Sequence, residues 1–202
     1  MSVAPRRVGL FGGTFDPPHL GHLALAEWAR VQLDLESVVF VVAGAPPHKR
    51  GRALSPPESR LAMVRRAIHG NPAFLASTVE LRRSGPSFTV DTVKQFAQAS
   101  PRTHHFLLMG ADMFDGFATW VQPHEILRHV TLAVALRPGA RAPRRTPYDS
   151  MGRGVVWLDN PGLEVSSSHL RARARAGESL RYLTPDRVRR YLEEHRLYRR
   201  SR

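Results

Sequence analysis

Short apolar runs alternate with helix-like segments along this 202-residue chain, and this alternation constrains its fold more than any other feature. The runs Ser37–Val42, His105–Met109 and Val130–Leu136 are apolar at nearly every position, which is typical of strands covered on both faces. Strands of this kind, separated by helices, favour a parallel sheet flanked by helices. The sequence therefore predicts an α/β, Rossmann-like fold with a central parallel sheet and helices on both of its faces.

The same pattern predicts one domain over residues 1–202, with a helical segment at about 166–198 packed on it. Thr184 is expected to cap the last helix, with Pro185 at its first position. The predicted strands are 7–11, 37–42, 74–81, 105–109, 130–136 and 155–158, and the predicted helices are 20–33, 57–69, 89–99, 167–176 and 185–195.

Composition excludes several classes of protein. The chain has no cysteine, which rules out disulfide frameworks, cysteine-ligated zinc, iron–sulfur clusters and a cysteine nucleophile. No apolar run reaches the roughly 18 residues that indicate a transmembrane helix. The first residues also lack the apolar segment of a signal peptide. We therefore expect a soluble, cytoplasmic protein.

The net charge of +13 suggests a nucleic-acid partner at first sight. The basic excess is strongest in residues 171–202, however, and no aromatic platform, zinc finger or single-strand-binding motif accompanies it. A solvated helical face, or a field that attracts small anionic substrates, explains this distribution better. We expect neither a nucleic-acid nor a membrane partner, and the sequence leaves the oligomeric state open.

The segment Gly12–His22, with the sequence GGTFDPPHLGH, joins the first predicted strand to the first predicted helix. Its glycines let the backbone approach a phosphate and offer N–H donors, and the start of a helix favours anions. His19 and His22 are three residues apart, so both rings can face one ligand, while Gly21 leaves backbone on which a planar base can lie. The segment therefore predicts a phosphate-binding turn.

Other interpretations of this segment are weaker. A Walker P-loop would need Gly-Lys-Ser/Thr, and the dinucleotide fingerprint would need a third glycine and no histidines. A metal site would need a third ligand, and none stands nearby in an obvious pattern. Ordinary surface or capping histidines are the remaining alternative.

Gly12–His22 resembles the T/H-x-G-H signature of the nucleotidylyltransferase superfamily. The whole segment is similar to the longer motif Gly-Gly-Thr-Phe-Asp-Pro-x-His-x-Gly-His of the bacterial nicotinate-mononucleotide adenylyltransferases. Further segments resemble motifs of that family in the same order, so that the resemblance covers about residues 8–198. These segments are Pro46–Lys49, Pro86–Thr92, Gly110–Asp112, Phe117–Trp120, Arg137–Gly139, Val165–Arg171 and Leu197–Tyr198.

The resemblance implies a nucleotidylyltransferase fold and the transfer of AMP from ATP to nicotinate mononucleotide, which yields deamido-NAD and pyrophosphate. The nucleophile would be a substrate phosphate that is already ionised near pH 7, so no general base is required. Catalysis would consist of positioning and of charge stabilisation at the α-phosphorus. Mg²⁺ is implied as an ion carried by the triphosphate, with few or no protein ligands.

The resemblance also implies residue roles. His19 and His22 are the implied catalytic residues, and they would contact the ATP phosphates. Thr89 and Trp120 would form the nicotinate pocket, where the indole stacks on the pyridine ring. The other implied contacts are with ATP: Gly12, Gly13, Thr14, Phe15 and Gly21 through the backbone, His48 and Lys49 at the triphosphate, Gly110, Asp112 and Arg137 at the ribose and adenine, and Ser167 and Arg171 at the departing pyrophosphate.

Two departures from the family lie near its pyridine pocket. Ala43–Ala45 stands where relatives often carry Asn before Pro-Pro-His, and Val121 follows Trp120 where they often have an aromatic or polar residue. A different acceptor, nicotinamide mononucleotide or phosphopantetheine, therefore remains an alternative. A synthetase-like tRNA-binding protein and an inactive nucleotide sensor are further alternatives.

Several of the implied residues also have simpler explanations. Asp112, Thr89 and Ser167 stand where helix caps are expected, and Trp120 is of a type usually found in the core. Arg171 belongs to an arginine-rich segment whose other members we expect to be solvated.

Overall fold

The computed structural model describes residues 5–46, 53–137, 139–160 and 162–198 of the chain. Strands and helices alternate along these residues. In chain order the elements are β1 (Arg7–Gly13), α1 (Leu20–Gln32), β2 (Ser37–Val42), α2 (Pro57–Ala67), β3 (Phe74–Ser77), α3 (Thr89–Ala99), β4 (His104–Gly110), α4 (Ala111–Asp115), a 3-10 turn (Phe117–Thr119), α5 (Pro123–His129), β5 (Val130–Ala135), β6 (Val155–Leu158), α6 (Ser167–Arg175) and α7 (Asp186–Glu194).

The six strands of the described residues form one sheet in the order β3-β2-β1-β4-β5-β6, and every neighbouring pair is parallel. The predicted α/β fold with a central parallel sheet is therefore confirmed. Strand order reverses direction at β1, which lies between β2 and β4. In open α/β sheets a crevice forms at such a reversal, outside the carboxyl ends of the strands, and this crevice is where ligands bind.

The sheet buries both of its faces because successive side chains of a strand point to opposite sides. Phe11 and Phe40 pack with Ala26 and Ala29 of α1 on one face. The neighbouring positions, led by Leu10, belong to a second cluster on the other face with residues of α3 and α5. This two-sided burial explains why the strands are apolar at consecutive positions.

A third hydrophobic cluster joins the C-terminal helices to α2. Met63 of α2 is fully buried with Leu170 of α6 and Val188 of α7. This cluster holds α6 and the segment before α7 beside the end of β1, although both are distant from β1 in the sequence. No helix in the described part of the chain combines the length and the apolar character needed to cross a membrane.

Three predictions about secondary structure are wrong. The third strand ends at Ser77 rather than at residue 81, because the carbonyl of Thr78 accepts the N–H groups of Leu81 and Arg82 in a turn. Two short helices, α4 and α5, lie in a stretch where the sequence predicted none. Thr184 does not cap the last helix, where Pro185 is the N-cap residue; its hydroxyl donates to the carbonyl of Pro18 instead.

His105 is a buried histidine in β4. It is only 2% exposed, its ring lies near that of Phe96, and burial lowers its pKa from 6.5 to about 4. The adjacent His104 instead contacts the hydroxyl of Thr131 through Nε2, at 2.9 Å. The two rings thus have separate environments, in agreement with the alternation expected of neighbouring strand residues.

We expect acid to destabilise the fold through His105. Between pH 6.5 and about 4 the unfolded chain binds a proton at this position that the folded chain does not, so the free energy of unfolding falls as the pH falls. The shift corresponds to at most about 3 kcal/mol. In urea titrations from pH 7 to pH 4, His105→Phe should lose less stability than the wild type.

The control for this prediction is His69→Gln, at an exposed position. It should follow the wild-type pH dependence. A His105→Phe protein with an unchanged pH dependence would contradict the assignment.

Candidate active site

The turn between β1 and α1 lies at the carboxyl end of β1, at the reversal of strand order. Phe15 adopts a left-handed backbone conformation, with φ of 51°, and its buried ring folds back over Gly13. A Cβ atom at Gly13 would lie 2.8 Å from this ring, which explains the need for glycine there. The Phe15 ring also packs edge-on against Phe11 and the His22 imidazole, at centroid distances of 5.6 and 5.1 Å.

His19 and His22 come together at the start of α1. Their rings stack with centroids 3.6 Å apart, and the backbone N–H of His19 donates to Nδ1 of His22 at 3.1 Å. Because Nδ1 of His22 accepts this bond, the neutral ring carries its hydrogen on Nε2. The expectation that both imidazoles share one side of the helix start is thus met by the geometry.

His19 is nearly buried, with an exposed fraction of 7%. Burial lowers its pKa to about 4, so the ring is neutral near pH 7. Its Nδ1 atom is buried and has no hydrogen-bond partner among the residues that the structure describes. Without a ligand, His19 therefore offers a polar atom but no positive charge to this site.

Ser167 and Arg171 of α6 lie against the same turn. The Ser167 hydroxyl donates to the carbonyl of Pro17 at 2.8 Å, and the Arg171 guanidinium donates to the carbonyl of Asp16 at 2.7 Å. The N-cap of α6 is Ser166, whose Oγ accepts from the N–H of His169. Ser167 is thus not simply a helix cap, and Arg171 is not simply a solvated arginine.

A buried polar group under the turn was missed by sequence reasoning. Asp16 is 1% exposed, and its carboxylate accepts the Tyr198 hydroxyl and the backbone N–H of Ser55. Burial and the nearby Asp16 raise the pKa of the Tyr198 hydroxyl. The position of Asp16 inside the motif was a usable signal, whereas nothing local to Tyr198 indicated its partner.

The ends of β4 and β5 bring Asp112 and Arg137 together. Asp112 lies in the first turn of α4, and its Oδ1 atom accepts two hydrogen bonds from the Arg137 guanidinium. Arg137 also contacts Asp115 at 3.2 Å, and all three side chains are exposed. Gly110 ends β4 directly before them, with open space where a Cβ would stand.

Thr89 and Trp120 belong to the segments that flank β4 in the chain. Thr89 is the first residue of α3, and Trp120 follows the 3-10 turn, half-buried, with its ring 5.4 Å from that of Phe117. The indole packs against the second core cluster and is partly exposed. Its placement therefore combines a core contact with an accessible face.

The loop after β2 is held by Ser87. Its Oγ accepts the N–H groups of Gly44 and Ala45 at 3.0 and 3.1 Å, so these donors are already used. A Cβ atom at Gly44 would lie 2.4 Å from the carbonyl oxygen of Glu80, which leaves room only for glycine. The loop at the position where relatives often carry Asn is thus fixed through its backbone.

Glu80 is a second buried acid that sequence reasoning missed. It is 7% exposed, and its carboxyl group accepts the Thr92 hydroxyl at 2.7 Å. Burial raises its pKa, against the opposing effect of the hydrogen bonds from Thr92 and Ser87. Glutamate is almost never fully buried, so its residue type gave no signal of burial.

Two of the predicted site residues, His48 and Lys49, lie outside the described residues. Among the residues that are described, no three His, Asp or Glu side chains are grouped so that they could hold a metal ion. The side chains that surround the turn between β1 and α1 are two imidazoles, a serine and an arginine, a set that suits an anion.

Comparisons with known proteins identify relatives of this chain. The model of the cytidylyltransferase-like family matches residues 10–173. A probable nicotinate-nucleotide adenylyltransferase of Salinibacter ruber is 43% identical over 95% of this chain and 97% of its own length. One of Symbiobacterium thermophilum is also 43% identical, over 95% of each chain.

Solved structures share the fold. The Plasmodium falciparum nicotinic acid mononucleotide adenylyltransferase complexed with NaAD superposes with a TM-score of 0.78 over 96% of this chain and 97% of that chain, at 15% identity. A putative nicotinate-nucleotide adenylyltransferase from Vibrio parahaemolyticus gives a TM-score of 0.71 over 97% of each chain, at 18% identity.

We expect the free energy of unfolding of the Glu80→Gln protein, relative to that of the wild type, to increase as the pH rises. Because the folded pKa of Glu80 is raised, the folded chain holds its proton more tightly than the unfolded chain, and stability is lost as the pH rises above 4.5. Glutamine keeps the shape of the side chain without this loss. Urea unfolding of both proteins at pH 5 and pH 8 measures the difference.

Glu58→Gln, at an exposed position of α2, is the matched control. Its stability difference from the wild type should not follow the same trend. If the Glu80→Gln difference is equal at both pH values, Glu80 does not carry a raised pKa.

Proposed function

Because this chain belongs to the cytidylyltransferase-like family, and within it to the nicotinate-nucleotide adenylyltransferases, we propose that it transfers AMP from ATP to nicotinate mononucleotide. The products are deamido-NAD and pyrophosphate, and the reaction is a step of NAD biosynthesis. The observation that carries the proposal is the pair of stacked imidazoles at the start of α1, beside the reversal of strand order.

The reaction is an in-line displacement at the α-phosphorus of ATP. A phosphate oxygen of nicotinate mononucleotide forms the new P–O bond, and the bond to the bridging oxygen of pyrophosphate breaks. The attacking oxygen is already an anion, so the protein has no proton to remove. Its contribution is to align the two phosphates and to stabilise the charge that develops between them.

The turn provides that stabilisation. His22 donates from Nε2 to the triphosphate, and His19 contacts it from the adjacent stacked ring. The backbone of Gly12, Gly13, Thr14 and Phe15 lies beside the phosphates, with Gly21 leaving space at the start of α1. Burial keeps His19 neutral before ATP binds, so it acts first as a hydrogen-bond donor rather than as a charge.

The positive charge comes from elsewhere. Ser167, at the start of α6, and Arg171, one turn further along the same helix, hold the departing pyrophosphate while they remain next to the carbonyls of Pro17 and Asp16. Further contacts from His48 and Lys49 to the triphosphate rest on the family resemblance alone. Mg²⁺ enters as part of the ATP substrate, bound by phosphate oxygens and water.

Adenosine lies at the ends of β4 and β5. Arg137 occupies Oδ1 of Asp112, so we assign Oδ2 to a ribose hydroxyl, with Gly110 leaving room for the sugar. Arg137 lies on the adenine side. At the opposite end of the site, the exposed face of Trp120 stacks on the pyridine ring, and Thr89 contributes at the start of α3.

Two further lines of the proposal concern the whole molecule. Residues 1–202 form one domain, which is supported by the hydrophobic cluster that α6 and α7 share with α2. The protein works in the cytoplasm, where ATP is available as a substrate.

We expect the purified protein to release pyrophosphate and form deamido-NAD from ATP, Mg²⁺ and nicotinate mononucleotide. Nicotinamide mononucleotide and phosphopantetheine are tested as acceptors under the same conditions. A higher kcat/KM with phosphopantetheine would overturn the proposal. A higher value with nicotinamide mononucleotide would keep the reaction and replace the acceptor.

His22→Ala should lower kcat by roughly 10²–10³-fold, comparable to the loss of one preorganised transition-state donor. The measurement is steady-state pyrophosphate release, with circular dichroism to verify folding. His124→Ala, at an exposed position of α5, serves as the control and should leave kcat unchanged. A folded His22→Ala protein with wild-type kcat would remove His22 from the catalytic site.

A further inference from the structure

We propose that Arg60 and Thr184, two buried residues outside the phosphate-binding motif, are positioning residues for adenylyl transfer. Each takes up a backbone carbonyl of the turn between β1 and α1, and together they fix the turn that presents its N–H groups and imidazoles to the triphosphate. This inference rests on the proposed function.

Thr184 fixes the start of α1 from a position 166 residues away in the chain. It is 2% exposed, and its hydroxyl donates to the carbonyl of Pro18 at 2.7 Å. The carbonyl of the preceding residue, Leu183, accepts the N–H of Leu20 at 3.0 Å. These two contacts hold the residue before His19 and the residue after it, so they determine where the His19 ring stands.

Arg60 fixes the other side of the turn. It is 1% exposed, and its guanidinium donates to the carbonyls of Thr14 at 3.1 Å and Ala43 at 2.6 Å. It also donates to the carbonyls of Gly44 and Ser55, at 3.2 and 3.0 Å. One side chain thus ties the end of β1 to the end of β2 and to the residues before α2.

The burial of this guanidinium is costly. Within the described residues Arg60 forms no ion pair at 4 Å or less, and burial lowers its pKa although Asp16 acts in the opposite direction. A buried cation without a direct partner is normally unfavourable. Four carbonyl acceptors provide the compensation, and those acceptors belong to the loops that form the site.

The effect on the reaction is electrostatic and geometric. A carbonyl oxygen carries partial negative charge and repels a polyphosphate when it faces it. With Arg60 on Thr14, Arg171 on Asp16, Ser167 on Pro17 and Thr184 on Pro18, four carbonyls of the turn are directed to protein donors. Since Arg60 and Thr184 are nearly inaccessible, they act through the turn and not by touching substrate.

Thr184→Val and Thr184→Ser separate positioning from packing. Valine keeps the shape but removes the donor, so kcat should fall by about tenfold to a hundredfold, as expected when reacting groups are misplaced. The KM for ATP should change less than kcat. Serine restores the hydroxyl and should restore most of kcat.

The matched control is Thr131→Val. Thr131 is 3% exposed, and its hydroxyl also donates to a backbone carbonyl, that of Arg153 at 3.1 Å, but it lies near the amino end of β5. It should lower Tm comparably and leave kcat unchanged. Equal kcat values for Thr184→Val and wild type, or equal losses of kcat in both valine variants, would overturn the proposal for Thr184.

Arg60→Lys tests the other residue, because one ammonium group cannot reach four carbonyls. Its kcat per folded molecule should fall at least tenfold. Arg66→Lys on the same helix should not change kcat, because the Arg66 guanidinium donates to Ala62 of its own helix and lies over the Tyr191 ring, away from the turn. A folded Arg60→Lys protein with wild-type kcat would overturn the proposal for Arg60. If the Arg60→Lys protein does not fold, the Thr184 variants test whether catalysis requires a fixed turn.

Binding of a non-hydrolysable ATP analogue, measured by calorimetry, distinguishes this inference from the proposed function. If the wild type binds the analogue but makes no product with nicotinate mononucleotide, the proposed function fails. In that case the inference stands if Thr184→Val weakens analogue binding and Thr184→Ser restores it, and it fails if neither variant changes the dissociation constant.

Discussion

The site depends on how the carbonyl groups of one short turn are satisfied. A turn that binds phosphate must direct its donors towards the ligand, and the acceptors of the same peptide groups must then bond elsewhere. Here the partners are side chains from α2, α6 and the segment before α7. The parallel sheet places the turn at the reversal of strand order, and the C-terminal helices supply donors that the turn itself lacks.

Much of the fold was predictable because the responsible signals are local. Consecutive apolar residues in β2, β4 and β5 require burial on both faces, and together with the intervening helices this requirement indicates a parallel sheet. The wrong predictions of secondary structure concern segments whose conformation the local pattern does not determine. Val79 and Leu81 extend the apolar pattern of the strand before them, yet the Thr78 carbonyl closes a turn in which Glu80 is buried. Helix α4 is only five residues long, too short to produce a periodic pattern.

The site was predictable to the same extent. Gly12–His22 is continuous in the sequence, so its position at a strand–helix junction could be recognised, and the structure stacks the two imidazoles as the spacing suggests. The neutral state of His19 could not be predicted, since it results from burial under residues distant in the chain. Arg60 was equally hidden. It lies among basic and apolar residues of α2, and only the folded chain shows that its guanidinium is buried against four carbonyls.

The hydrogen bonds that Leu183 and Thr184 make to either side of His19 have a consequence for protein synthesis. The ribosome completes the GGTFDPPHLGH segment early, because the partners of Pro18 and Leu20 are translated more than 160 codons after it. A nascent chain that has already formed β1, β2 and α1 therefore still has an unfinished nucleotide site. The turn before α1 therefore reaches its final form only after Leu183 and Thr184 have been added to the chain.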